Sequence, residues 1–97
     1  MFAANSHVIR HASDADEADL RRLAALDGLP AIHRPALVGE IAGRTVAAVS
    51  LIDCRMVSDP AASTGRLGPM LLLRARVIQA LHASPSVRDR LMAGLRA

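Results

Sequence analysis

The order of apolar and polar positions along this chain predicts a strand, a helix, three short strands and then two helices. Val8, Ile9 and Arg10 form a short extended run that stops at Ser13, a residue suited to capping a helix. Asp14, Asp16 and Glu17 crowd the next turn, where the positive end of a helix favours carboxylates, and Arg21 and Arg22 come later. Leu20, Leu23 and Ala24 recur at i, i+3 and i+4, so the first helix is expected from about Asp14 to Leu26. Asp27-Gly28-Leu29-Pro30 stops it, since glycine suits the residue after a helix and proline cannot continue one. Ala31 to Pro35 is a loop or a single turn.

Leu37 to Ile41 alternates as a strand does, and Ala42-Gly43-Arg44 supplies a tight hairpin into Thr45 to Ile52. This third strand is apolar on both faces, with Val46, Ala48 and Ile52 on one and Ala47, Val49 and Leu51 on the other. A central strand covered on both sides is therefore expected. Asp53-Cys54 stands where a hairpin turn belongs, before a fourth strand over Arg55 to Ser58. The second turn position calls for positive φ, which costs a cysteine about 1 kcal/mol, so a turn longer than two residues is also open.

After Asp59-Pro60 the chain is irregular as far as Gly68, and Pro69 is well placed in the first turn of a helix running from near Leu67 to Leu81. At 100° per residue, Met70, Leu73, Val77, Ala80 and Leu81 form an apolar arc with Arg74 inside it. Arg76 and Gln79 fall outside the arc, on what reads as the solvated face. Arg74 either directs its guanidinium at a carboxylate or anion in an interface, or packs its stem and lets its head reach water. Ser84-Pro85 opens a last helix through about Arg96, with Val87, Leu91 and Leu95 inward.

Ninety-seven residues make a single domain, with 1–7 as a flexible N-terminus, 8–58 as the strand-helix-strand part and 64–97 as the helical part. A chain of this size buries roughly 60 to 65 % of its unfolded surface. Its apolar residues make up 52 %, but Phe2 is the only aromatic, so the core is built of small aliphatics and stability alone is expected to be marginal. All twelve basic residues are arginine, which in an alanine-rich chain reads as compositional bias and weakens arguments from arginine abundance. Net charge is +3, and from Arg66 onward there are six arginines and one acid, Asp89. That basic stretch can attract nucleic acid or an anionic surface, but the lack of Tyr and Trp to stack on bases argues against a single-strand binder, and nucleic acid is not the expected partner. One cysteine, Cys54, excludes an internal disulfide, and no apolar run approaches a membrane span or a signal peptide; the cytoplasm is the expected compartment.

Two stretches carry a family resemblance. Val8-Ile9-Arg10-His11-Ala12-Ser13-Asp14-Ala15-Asp16 and Leu37-Val38-Gly39-Glu40-Ile41-Ala42-Gly43-Arg44 resemble the opening motif and the second-strand hairpin of GNAT acetyltransferases. The resemblance covers a little over half the chain and implies the N-terminal β-α-β-β-β half of that fold. The expected class is α+β (α/β): a small, mostly antiparallel sheet of about four strands, followed by two helices. In that family an Arg/Gln-x-x-Gly-x-Gly/Ala loop after the fourth strand holds the pyrophosphate of acetyl-CoA. Here only Gly65, Arg66 and Gly68 are candidates for that contact, neither register fits, and Pro69 removes an amide. The remaining strands and the pantetheine cleft are not expected.

A chain with that front half alone leaves Arg55 to Ser58 at a sheet edge, which invites a second copy, a partner strand or cover from the last helix. The expected function is accordingly a non-catalytic interaction or regulatory module that forms a homodimer or docks on a partner protein. Its interface residues are expected to be Arg55, Val57, Leu73, Arg74, Val77 and Leu81. An acyltransferase or acyl-CoA binder with an atypical or dimer-completed site is the second reading, the only one that requires acetyl-CoA. A basic module binding anions or nucleic acid through Arg74, Arg76, Arg88, Arg90 and Arg96 is the third. No catalytic residue and no metal site is expected. His7 and His11 lie about 13 Å apart on an extended strand, too far for one ion. Cys54 reads as an incidental turn residue, Glu40 as a solvated strand residue, and the early acids as helix-start charge.

Overall fold

A computed structural model describes residues 6–83. Strands β1 (His7–His11), β2 (Ala36–Ile41), β3 (Arg44–Ser50) and β4 (Met56–Ser58) make one antiparallel sheet in the order β1-β2-β3-β4. Helix α1 (Glu17–Asp27) lies within the β1–β2 connection, and α2 (Leu67–Ala83) follows β4. The α+β class and the β-α-β-β-β order expected from the sequence are observed. The last expected helix, from Ser84, lies outside the described residues, as do residues 1–5.

The entry into α1 is a 3-10 turn over Asp14–Asp16, in which the Asp16 amide donates to the Ser13 carbonyl at 2.9 Å. At its far end Gly28 takes φ +67, and the Leu29 amide reaches back to the Ala24 carbonyl at 3.0 Å. This left-handed cap turns the chain off the helix where the sequence places it.

Each helix covers one face of the sheet. On the α1 side, Leu20, Leu23 and Ala24 pack with Ile32, Ala36, Val38, Ala48 and Val57. On the α2 side, Leu67, Leu71 and Ala75 pack on Leu37, Val46, Ala47 and Val49. Gly39 lets α2 come close: a Cβ built there would meet Leu67 Cδ2 at 2.9 Å and Leu71 Cδ1 at 3.0 Å. β3 is central and buried from Thr45 to Ser50, as its apolar run requires.

Two details depart from simple alternation. The β2–β3 register shifts between Gly39 and Glu40, with Gly39 opposite Ala47 and Glu40 opposite Thr45, so Val46 is an extra residue. This bulge puts Val46 beside Ala47 on the α2 side, not with Ala48 as strict alternation expects. β3 also ends at Ser50, short of the expected Ile52. Residues 51–54 form the connection, with the Cys54 amide on the Ser50 carbonyl at 3.0 Å and the Ser50 amide on the Arg55 carbonyl at 2.8 Å. Cys54 has φ +59, so the turn is both longer than two residues and left-handed at the cysteine. The Ala42-Gly43 hairpin has positive φ at both residues, +53 and +79, the type I′ geometry whose twist matches its strands.

Among the described residues no helix is long and apolar enough to cross a membrane.

Candidate interaction surface

Helix α2 has more apolar residues than the sheet can cover. Leu67, Leu71 and Ala75, spaced by four, face the sheet and are fully buried. Met70, Leu73, Val77 and Leu81 point elsewhere and remain 45, 66, 51 and 38 % exposed. At 100° per residue the centre of this second stripe lies about 120° around the helix from the buried one. The arc read from the sequence is thus mostly the outer face, and a different set of leucines holds the helix to the sheet. Arg74 is exposed beside the stripe and lines a shallow depression with Met70, Leu73 and Val77.

The charge on this helix has one sign. Arg74 and Arg76 lie along it with no acidic side chain between Leu67 and Ala83, His82 is in its last turn, and Arg66 immediately precedes it. No salt bridge among the described residues involves Arg66, Arg74 or Arg76. Gln79, placed on the solvated side by its position in the helix, instead ties α2 to the 51–54 loop. Its Nε2 donates to the Ile52 carbonyl at 2.6 Å, and its Oε1 accepts from the Cys54 thiol at 3.1 Å.

The other expected interface residues are engaged within the fold. Val57 is 0 % exposed, packed under α1. Arg55 donates to the Pro30 carbonyl at 2.6 Å and the Ala31 carbonyl at 2.9 Å, fastening the loop between α1 and β2. β4 is an edge strand, but it has three residues and the Ser58 amide donates to Asp27 Oδ2 at 3.0 Å. The C-terminal end of α1 thus takes up part of that edge.

The N-terminus of α2 holds Gly65, Arg66 and Gly68. Gly65 is in the left-handed region at φ +52, and Arg66 is exposed. The Leu67 amide donates to the Thr64 carbonyl at 2.8 Å and the Met70 amide to the Arg66 carbonyl at 3.1 Å; Pro69 has no amide. The internal bond of the Leu67 amide and the proline at 69 thus take two donors from the amides that a phosphate would use at this helix start.

The charged clusters of the α1 side are structural in geometry. Arg10 grips Asp16 with two bonds, at 2.7 and 2.8 Å, and Glu40 with a third at 2.6 Å. Glu40, a solvated residue on the sequence reading, is thus paired, because β2 alternation turns it toward Arg10. The Asp16 carboxyl is held well below the usual carboxylate range, first by the Arg10 hydrogen bonds and further by the Ser13 amide and hydroxyl. Arg22 donates to the Thr45 carbonyl at 2.7 Å and ties α1 to β3. Arg34 pairs with Asp14 and Glu17 on the surface. Among the described residues no group of three or more His, Cys, Asp or Glu side chains is placed to hold a metal ion.

No protein-family model, curated protein or solved structure matches this chain.

Proposed function

We propose that this domain is a non-catalytic interaction module whose outer α2 face receives an amphipathic helix, bearing acidic residues, from a partner protein. The observation that carries the reading is the second apolar stripe of α2, Met70, Leu73, Val77 and Leu81, exposed on a helix that has only basic charges. From their exposures the four side chains present about 300–400 Å² of apolar surface, comparable with the largest patch on a typical monomer. A standard interface buries about 800 Å² per partner, so this stripe alone is small for a two-fold dimer but suited to one helix laid along it. Two copies of α2 would also bring arginines together without an acid between them, whereas an acidic flank meets Arg66 and Arg74 with opposite charge.

The acyl-CoA reading rests on the sequence resemblance, and the amide arrangement at the start of α2 weakens it. The edge-pairing form of the dimer reading is weakened by the Asp27 bond to Ser58.

The test uses the full chain, isotope-labelled, titrated with a designed helical peptide carrying leucines at i, i+4 and i+7 and glutamates on either side. Saturable shifts confined to residues 70–81, reduced about tenfold by Leu73→Ser or Val77→Ser, are expected. A lysine-flanked version of the peptide binds more weakly, and added salt weakens the acidic one. A stable dimer by light scattering, dispersed by Leu73→Ser, would replace the partner helix by a second copy. Equal binding of both peptides, or no binding with α2 methyl groups open to solvent, would sink the reading.

A further inference from the structure

Away from the outer stripe, the C-terminal half of α2 stands beside the end of β1 and the 51–54 loop and borders an open cleft of about 690 Å³. That lies within the roughly 300–1,000 Å³ range of small-molecule sites. Leu51, Ile52 and Ile78 give it an apolar lining, continuous with the α2-side core through Leu51 and Ile78, while Ile52 is 67 % exposed. The polar lining is one-sided: His11 from β1 and Arg76 and His82 from α2, with no carboxylate among the lining residues. The nearest acid in sequence, Asp53, is not among the lining residues; it accepts the Arg55 amide at 3.0 Å and lies 4.0 Å from the Arg55 guanidinium. Arg76 forms no salt bridge among the described residues. The wall is braced, because Gln79 bonds the Ile52 carbonyl and the Cys54 thiol and fixes the loop against the helix.

An apolar lining rimmed by three basic groups from two separate elements selects for one chemistry. We propose that the cleft binds a small amphipathic anion: an apolar body seated on Leu51, Ile52 and Ile78, with a carboxylate or phosphate head at Arg76 and the two histidines. The head gains charge-assisted hydrogen bonds from a guanidinium without an ion-pair partner among the described residues, and the body covers the exposed Ile52. This site is separate from the Met70–Leu81 stripe and does not depend on the docking reading.

The test is a titration of the isotope-labelled full chain with decanoate and decyl phosphate, each below its micellar concentration, against decanol and decyltrimethylammonium. Both anions are expected to give saturable shifts at 51, 52 and 76–80, with the alcohol and the cation about tenfold weaker. Arg76→Gln should weaken the anions about fivefold and leave decanol unchanged. Ile52→Glu, at an exposed position that leaves folding intact, should abolish anion binding, and Leu73→Ser should not alter it. If decanoate alone binds, the head site is a carboxylate site; if decyl phosphate alone binds, it is a phosphate site. Equal binding of the cation, shifts centred elsewhere, or no saturable shift with either anion overturns the proposal. Contacts from residues 84–97 to Ile52 with no anion binding overturn it too, the cleft then being filled by the chain itself.

Discussion

Replacing Gly39 by alanine tests the packing of α2 on the sheet. The new Cβ would lie 2.9 Å from Leu67 Cδ2, 3.0 Å from Leu67 Cγ and 3.0 Å from Leu71 Cδ1. Carbon atoms at rest sit about 3.5–4.0 Å apart, so something must move by more than half an ångström. The obstruction includes a branch carbon, and both leucines are fully buried, which leaves them little room to turn away. Overpacking of this kind costs about 1–3 kcal/mol. Against it stands the lower chain entropy of unfolded alanine, worth about 0.5–1 kcal/mol in favour of the variant. The Gly39 backbone lies outside the positive-φ region, so no torsional penalty enters. The net expectation is a loss of about 1–2 kcal/mol, or roughly 4–15 °C in melting temperature for a domain of this length.

Urea unfolding followed by far-ultraviolet circular dichroism is the suitable assay, since the chain has no Trp or Tyr and a single Phe. A cycle with Leu71→Ala gives the sharper result. That change alone costs about 2–5 kcal/mol by opening a cavity, but it also removes one of the three atoms the new Cβ meets, Leu71 Cδ1, and opens space into which Leu67 can shift. The double variant should therefore be more stable than the sum of the single losses by about 1 kcal/mol or more. A Gly39→Ala protein as stable as the parent, or strictly additive losses, would refute the close approach of α2 to β2.

Three further outcomes follow from the same contacts. Asp16→Asn should cost about 2 kcal/mol at pH 7, because it breaks a doubly bonded pair whose carboxylate side chain is 5 % exposed but whose arginine is 40 % exposed. As the folded-state Asp16 pKa is depressed, its stabilisation is complete above about pH 4 and is lost as pH falls toward the folded value; urea midpoints between pH 5 and 2 should fall more steeply for the parent than for Asp16→Asn. Ala42→Asn should raise the thermal midpoint, by about 0.5–1 kcal/mol in stability, since Ala42 sits at φ +53 in a type I′ turn that favours Asn-Gly. Arg55→Ala should remove two bonds to the Pro30 and Ala31 carbonyls, cost about 1–2 kcal/mol, and speed hydrogen exchange in residues 31–33 ahead of the strands.

The sequence was most legible where local chemistry decides the backbone. Gly28 ends α1, Ala42-Gly43 makes the hairpin, and Cys54 takes the left-handed torsion that its turn position called for. It was least legible where nearly every residue is apolar. β3 is apolar on both faces, so a one-residue bulge leaves no mark in its pattern, and Val46 went to the wrong side. In α2 the run Met70-Leu71-Leu72-Leu73 fits two faces equally well, and only the sheet distinguishes Leu71, which is buried, from Leu73, which is not. The arginines show a third limit. Arg10, Arg22 and Arg55 fasten elements internally while Arg74 and Arg76 make no such bond among the described residues, and in a chain without lysine the residue type cannot separate the two roles. Val57 and Arg55 looked available because β4 was recognised as an edge, whereas α1 and its following loop cover that end of the sheet.

The outer stripe of α2 limits the kind of partner that can bind it. Covering about 350 Å² of apolar surface on this side yields roughly 9 kcal/mol at 25 cal/mol per Å², before any cost is counted. Association of two bodies costs an estimated 4–15 kcal/mol, and side chains that become ordered add to that. The stripe alone is therefore close to break-even. A partner offering only a matching apolar face would bind weakly and without discrimination, as any hydrophobic surface would. What can tip the balance specifically is charge: Arg66 and Arg74 lie at or beside the stripe without ion-pair partners among the described residues, and the helix has no acid of its own to compete for them. Acidic groups on a helix docked there would add affinity, fix its direction along α2 and penalise basic competitors. Sensitivity to salt, more than apolar area, therefore separates a true partner of this face from an adventitious one.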